Sequence, residues 1–403
     1  MIILYLLMEG FMIKIESIYI NNINSISCLT LNFQTGVNIL CGTNGIGKTT
    51  ILNCINQFSR NFSPRVSVIR TKMDTDKSAI SLTVNSDGQV ENYSYQIPKI
   101  DNEENANRLV HRNKVIYFNI SQRQQVGTLP LTIGQEGRES IRSSYDAMKS
   151  WFYRNYFKKT DVIENKLKNF NLSKRIFSKL DPNVYFEAAN EKEVFNEFSN
   201  RPIKTVEILL KTQYGTIDMD SFSSGYKACF NILFGIVRNI EHRLSMSVED
   251  FDGIVLIDEI DLHLHPEWQT KIIDILKWLI PNAQIIITTH SPHVIQNAEQ
   301  GEIIPLGLDE EGKIYVRELP ESSEYGYQGW TIEEILQDVM GLKNTHSELY
   351  YHILKEFDEA LDNLDIKKAT ESYNEIDKLL HPANHLRKVF KIQLGSLGGL
   401  DID

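Results

Sequence analysis

Short apolar runs broken by polar turns dominate the first third of the chain. Residues 13–20 and 28–33 alternate or run apolar, with asparagine-rich turns between them, which predicts strands leading into a buried strand at 37–40. Residues 50–55 then open a helix. Residues 79–84 and 90–95 flank Asp87-Gly88, a pair that tolerates the positive φ of a tight hairpin. The polar stretch 101–113 reads as a surface loop, and residues 114–120 as a core strand running into polar 121–125. From 137 to 200 aromatic and basic residues recur at helical spacing, as in Tyr145, Met148, Phe152 and Tyr156. This predicts a helical insert, too short and too poor in heptads to be a coiled-coil arm. Residues 206–210 and 217–219, parted by a turn at Tyr214-Gly215, restore strand character.

Residues 253–257 and 283–288 are β-rich apolar runs with a helical stretch, 267–279, between them. That β-α-β order predicts a parallel sheet with a crossover helix. Past residue 300 a hairpin around Gly312 leads into helices. Thr331 and Glu334 form a capping-box signature, and Ile332, Ile335, Leu336, Val339 and Met340 share one helical face. The same spacing returns in Tyr350, Ile353, Leu354, Phe357 and Leu361, and again in Ala369, Tyr373, Ile376 and Leu380, predicting a small C-terminal helical unit.

Candidate chemistry sits at the ends of these apolar runs. Gly42-Thr43-Asn44-Gly45-Ile46-Gly47-Lys48-Thr49 reads G-x-x-x-x-G-K-[ST] between a strand and a helix, the context of a phosphate-binding loop. Gly42, Gly45 and Gly47 let successive N–H groups wrap a triphosphate, with Asn44 and Thr50 in the same cradle and the helix dipole behind it. Lys48 is placed to reach the β- and γ-phosphates, and the Thr49 hydroxyl to ligate Mg²⁺. Residues 253–257 end in Asp258 and Glu259. A buried strand would hold Asp258 rigidly on the metal opposite Thr49, leaving Glu259 one residue on as general base. The second buried run ends at His290, within reach of a γ-phosphate. Phe222-Ser223-Ser224-Gly225 precedes an apolar helical run, and Ser and Gly there make a second anion site. His263 and His265 form an H-x-H pair without a second ligand cluster, which reads as loop structure rather than a metal centre.

Bulk properties narrow the class without naming a task. The 403 residues are 42% hydrophobic and 24% charged, an ordinary globular balance that disfavours disorder and membrane spanning. Cys28, Cys41, Cys54 and Cys229 show no C-x-x-C pairing and read as reduced thiols of a cytoplasmic protein. The apolar opening, residues 1–7, lacks a basic flank and a small-residue cleavage site and is too short to span a bilayer. Because the regular pattern starts at Ile13, Met12 serves as an alternative start, and residues 1–11 are set aside as an extension. Net charge is −11 but uneven: residues 301–403 hold ten basic against twenty-one acidic residues, while 149–179 hold nine basic against two acidic. Such asymmetry suggests different partners at the two regions.

The four motifs, in this order, resemble the ATP-binding-cassette nucleotide-binding fold in its soluble SMC/RecF/OLD-like branch. That resemblance implies an α/β ATPase head with a mixed sheet, in which two subunits sandwich two ATP molecules. Ser223 and Gly225 would bind γ-phosphate in trans. The implied division is 1–136 for the first part of the core, 137–202 for the helical insert, 203–320 for the second part and 321–403 for a C-terminal helical unit. The glutamine loop falls among Gln122, Gln124 and Gln125. Ser224 departs from the glycine found at its position in many cassettes. The stretch from Asp258 to Pro266, together with Gln328-Gly329-Trp330, is similar to a narrower group, the ATPases of Septu-type anti-phage systems and their retron-linked relatives.

For that group the resemblance implies an ATP- and Mg²⁺-dependent hydrolase that scaffolds and restrains a separately encoded nuclease of the HNH type, with a retron reverse transcriptase and its nucleic acid as further partners. The alternative is a DNA-repair or chromosome-maintenance ATPase of RecF/SMC type. Its DNA-contacting surface would be the basic aromatic segment with Trp151, Arg154, Tyr156, Lys158, Lys159, Lys174 and Arg175. The competing reading of that segment is a helical lobe with an aromatic core. A nuclease within the same chain is disfavoured, because no long α/β segment carrying a Glu and a D-x-D pair follows His290.

Overall fold

Five consecutive buried residues, Val37–Cys41, put the phosphate-loop strand inside a parallel sheet. The computed structural model describes residues 12–59, 78–97, 109–120, 131–133, 141, 143–157, 164–196, 201–299, 301–321, 323–343 and 345–398. Gln122, Gln124, Gln125, Lys158, Lys159 and residues 1–11 lie outside them. The chain divides into two units, Met1–Gly341 and Leu342–Asp403.

In chain order the strands are β1 (Ile13–Ile23), β2 (Ile26–Asn32), β3 (Val37–Cys41), β4 (Ser78–Ser86), β5 (Gln89–Ile97), β6 (Val115–Phe118) and β7 (Thr132–Ile133). They continue as β8 (Tyr185–Asn196), β9 (Arg201–Thr212), β10 (Gly215–Asp218), β11 (Ile254–Ile257), β12 (Gln284–Thr288), β13 (Ile303–Leu308) and β14 (Ile314–Val316). The central sheet runs β14-β13-β3-β12-β11-β6, parallel except for the β13–β14 hairpin. Ile254 to Ile257 and Gln284 to Thr288 are wholly buried, as continuous apolar runs must be when both sheet faces are covered. A second, antiparallel sheet, β2-β1-β4-β5, shows the expected inward and outward alternation of a half-buried sheet. Its inner face shares a core with the phosphate-loop helix Lys48–Gln57 through Ile18, Ile20, Leu82, Ile51 and Ile55.

Buried Gln284 ties the two sheets together. Its amide accepts from Ile15 N (2.8 Å) and donates to Ile15 O (2.8 Å) and Gln34 O (3.0 Å). Ile15 is where the β1–β4 register shifts, so the amide satisfies backbone groups beside the irregularity.

The insert departs from its all-helical expectation. Helices Ser144–Phe157 and Glu164–Leu180 form as predicted, but residues 185–196 make strand β8, paired antiparallel with β9. Phe152 is the centre of its aromatic core, with ring centroids 5.0 Å from Phe170, 5.9 Å from Phe177 and 5.1 Å from Phe186. It also lies 5.5 Å from Phe234 on helix Ser224–Leu244, which seats the insert on the helix that follows the Ser-Gly motif. The crossover expected over 267–279 is broken into helices Pro266–Gln269 and Ile272–Leu279. The capping box closes as predicted, Thr331 N donating to Glu334 Oε2 (2.7 Å) and Glu334 N to Thr331 Oγ1 (3.2 Å).

The expected boundary at 321 moves to Leu342. Residues before it are held to the first unit, as where Gln296 Nε2 donates to Trp330 O (2.9 Å) and an Arg317 guanidinium nitrogen to Val339 O (3.1 Å). Among its described residues the second unit has three helices, Glu348–Asp362, Ile366–Leu379 and Leu386–Ser396, around Phe357, Ile376, Phe390 and Leu394. Among the described residues no helix is long and apolar enough to cross a membrane.

Candidate functional site: a phosphate loop facing two carboxylates and a histidine

Strands β3, β12 and β11 are neighbours, so the loops leaving their C-terminal ends converge. In open parallel sheets this edge is where ligands bind. The ladder continues past the strands: Thr289 N donates to Leu40 O (3.2 Å), Asp258 N to Phe118 O (3.0 Å) and Ile260 N to Thr288 O (2.9 Å). Side chains from chain positions more than two hundred residues apart are thereby fixed side by side.

In the loop, Gly42, Gly45 and Gly47 all take positive φ (139°, 77° and 95°). At Gly42 a Cβ would lie 2.6 Å from Leu306 O, so only glycine fits. Gly47 ends the loop as a left-handed N-cap without a capping side chain, and no acidic residue occupies the first turn. The helix therefore offers its N–H groups and positive end to an anion. Lys48 Nζ donates to Gly42 O (2.9 Å) and Thr43 O (3.0 Å), curling over the loop. Burial drives this ammonium from 10.5 down to about 8, against the Cys41 thiol and the carboxylates of Glu259, Asp261 and Asp258, which raise it. Thr50 turns its hydroxyl away, accepting from Asn24 Nδ2 (3.2 Å), so any part it has in the cradle falls to its backbone.

Thr49 Oγ1 donates to Asp258 Oδ1 at 3.0 Å, placing two hard oxygen donors together. That pair fits Mg²⁺, which would polarise a bound phosphate. Glu259 follows in the left-handed region (φ 48°), which turns it off the strand. His290 is half-buried. Burial lowers its pKa, the Lys48 charge lowers it further, and the carboxylates of Asp261 and Asp258 oppose the shift, so the ring is neutral near pH 7.

Two residues of this cluster were not singled out from sequence. Asp261 Oδ1 accepts from Thr289 Oγ1 (2.5 Å) and from His290 N (3.1 Å), tying the acidic loop to the histidine. Thr288 Oγ1 donates to Asp258 Oδ1 (2.7 Å) and accepts from Glu259 N (2.7 Å). A single Thr or Asp carries no sequence signal; adjacency to His290 and Glu259 was the one available clue.

Ser223 occupies the N-cap of helix Ser224–Leu244 but makes no side-chain cap, unlike Ser291, Ser347 and Thr331 at their helices. Gly225 packs against Trp268 and the His263 carbonyl; a Cβ there would lie 2.5 Å from the indole. His265 Nδ1 accepts from Glu267 N (3.4 Å) as the cap of its helix. Among the described residues no three His, Cys, Asp or Glu side chains group to hold a metal ion.

A phosphate loop, an acidic strand end and a strand-end histidine on one mixed sheet make up the site of an ATPase. The chain belongs to the family described as "AAA domain, putative AbiEii toxin, Type IV TA system", whose model matches residues 37–296. It is 36% identical to the Septu protein PtuA of Bacillus thuringiensis over 96% of this chain and 99% of that one. It is also 32% identical to the "Retron Ec83 probable ATPase" of Escherichia coli, over 35% of this chain and 26% of that protein. Among solved structures, an SMC head bound to the C-winged helix domain of ScpA covers 75% of this chain and 97% of its own, at 17% identity and a TM-score of 0.46. The protein is an ATPase related to Septu protein PtuA over nearly its whole length.

Proposed function

We propose that two copies of this chain close on two ATP–Mg²⁺ and that their nucleotide state gates a separately encoded nuclease of the HNH type. One observation carries the ATP half of this reading: Lys48, Thr49, Asp258, Glu259 and His290 meet at one sheet edge. In it, Gly42, Asn44, Gly45, Gly47 and the Thr50 backbone cradle the phosphates, and Lys48 pairs with their charge. Thr49 and Asp258 hold Mg²⁺, Glu259 activates water, and neutral His290 contacts the γ-phosphate. Ser223, its hydroxyl not spent on a cap, and Gly225 complete the partner copy's site.

Similarity to a Septu protein over 96% of the chain supports the defence half. Direct DNA binding by residues 149–179 is the weaker reading. Lys149 is buried and paired with Asp220 at 2.5 Å, Lys174 lies over Phe170, and Arg175 and Lys179 lie over Trp278. These four cations are engaged with partners of this chain, Phe170 within the lobe and Asp220 and Trp278 on the core beside it.

Two experiments test the proposal. Glu259→Gln is expected to bind ATP and accumulate as a closed dimer with turnover reduced at least about 100-fold; brisk hydrolysis would remove Glu259 as the base. Affinity capture of the chain expressed with its native neighbours, with and without ATP, is expected to recover a stoichiometric nuclease. Recovery of DNA without a protein partner would favour the repair reading instead.

A further inference from the structure

We infer that Thr288 is a positioning residue for hydrolysis, holding Glu259 and Asp258 in their working geometry; this rests on the reading of Glu259 as the base. Thr288 is fully buried at the end of β12, beside the end of β11. Three of its atoms' bonds bracket the acidic pair. Its hydroxyl proton goes to Asp258 Oδ1 (2.7 Å), its hydroxyl lone pair accepts Glu259 N–H (2.7 Å), and its carbonyl accepts Ile260 N–H (2.9 Å).

The need for such a clamp follows from the backbone. At Asp258 the sheet still supplies a partner, Phe118 O, for the amide. At Glu259 the chain swings to φ 48°, a region that long side chains without glycine's freedom enter rarely, and the regular ladder ends. The Thr288 hydroxyl takes the amide that the ladder has released. Because a hydroxyl has one proton and two lone pairs, the same oxygen can donate to a carboxylate and accept from an amide, which neither valine nor alanine can do. Thr49 also donates to Asp258 Oδ1, but that contact is the one a metal would replace. The Thr288 bond reaches the same carboxylate oxygen from the neighbouring strand β12, so Asp258 would keep this anchor where a metal replaced the Thr49 contact.

The test compares Thr288→Val, which keeps shape and removes both hydroxyl bonds, with Thr288→Ser, which keeps the hydroxyl. Thr288→Val is expected to lower kcat 10- to 100-fold, the loss typical of a reacting group misplaced by about 1 Å. ATP affinity should stay within about twofold, certifying the fold, and Thr288→Ser should recover most of the rate. In a Glu259→Gln background Thr288→Val should cost much less than it does alone, because the step for which it positions Glu259 is already disabled. Thr288→Ala, smaller still, gives a second reading if valine crowds the site and the protein does not fold. Wild-type kcat in Thr288→Val, equal loss in valine and serine variants, or the same 10- to 100-fold loss repeated in full in the Glu259→Gln background would overturn the inference. If Glu259→Gln itself turns over normally, the base assignment falls and takes this inference with it. If Glu259→Gln is dead while Thr288→Val is fully active, only the role of Thr288 falls.

Discussion

At the scale of single residues, Lys48 sets a measurable pH limit. Its ammonium titrates at about 8, and phosphates would hold the proton more tightly than the protein alone. Nucleotide binding must then take up a proton wherever the nucleotide-free protein has lost it, above pH 8. ATP affinity is expected to be level below that pH and to weaken roughly tenfold per unit above it, until the bound lysine also titrates. Calorimetry in buffers of different ionisation enthalpy would read the proton uptake directly; affinity unchanged to pH 10 would mean the lysine stays charged throughout. The residues legible in the sequence were those written as contiguous strings, Gly42 to Thr49, Asp258-Glu259 and the strand leading to His290. Asp261 and Thr288 were not, because their meaning comes from β12 lying beside β11 rather than from their own neighbours in the chain.

Elements were readable where period and length agreed. The strands around Asp87-Gly88 and at 206–210 form as expected, while the one expected at 217–219 ends at Asp218 and Met219 opens a 3-10 turn. Strand β8 was missed because Glu, Ala and Lys within it favour helix, and because a register shift between Phe186 and Ala188 breaks its alternation. Pairing along β9 overrides those local preferences. Gln284 belongs to this scale too, since nothing in an apolar strand announces that its one amide joins two sheets. Gln284→Leu keeps the volume but strands an N–H and two carbonyls, and should cost about 2–4 kcal/mol of stability. Denaturant unfolding would measure it, and a change below about 0.5 kcal/mol would show that water replaces the amide at no loss.

At the scale of the molecule, the phosphate loop and the Ser223-Gly225 motif are expected to work across a pair of chains. Lys48→Ala damages one half of each site and Ser223→Arg the other. Mixing the two inactive variants should restore up to about a quarter of wild-type turnover, since half of randomly mixed pairs carry one intact composite site. No recovery on mixing, with each variant folded, would mean that each chain hydrolyses ATP alone. The sequence also suggested the second unit, but not its start at Leu342, because residues 321–341 carry helical signals while being held to the first unit by Gln296 and Arg317.

The strand order has one more consequence, for the chain as it is being made. β3 emerges from the ribosome early, yet its two partners in the sheet, β12 and β13, begin at Gln284 and Ile303. Closing a loop of that length costs little in equilibrium stability but delays the pairing in time. A nascent chain that carries the complete phosphate-loop string can therefore pack its helix on the early β2-β1-β4-β5 sheet, but β3 has no parallel partner and the site lacks its acidic and histidine strand ends until the chain has been made past Ile303. An ATPase built this way is silent while it is unfinished, and a prematurely terminated copy inherits that silence.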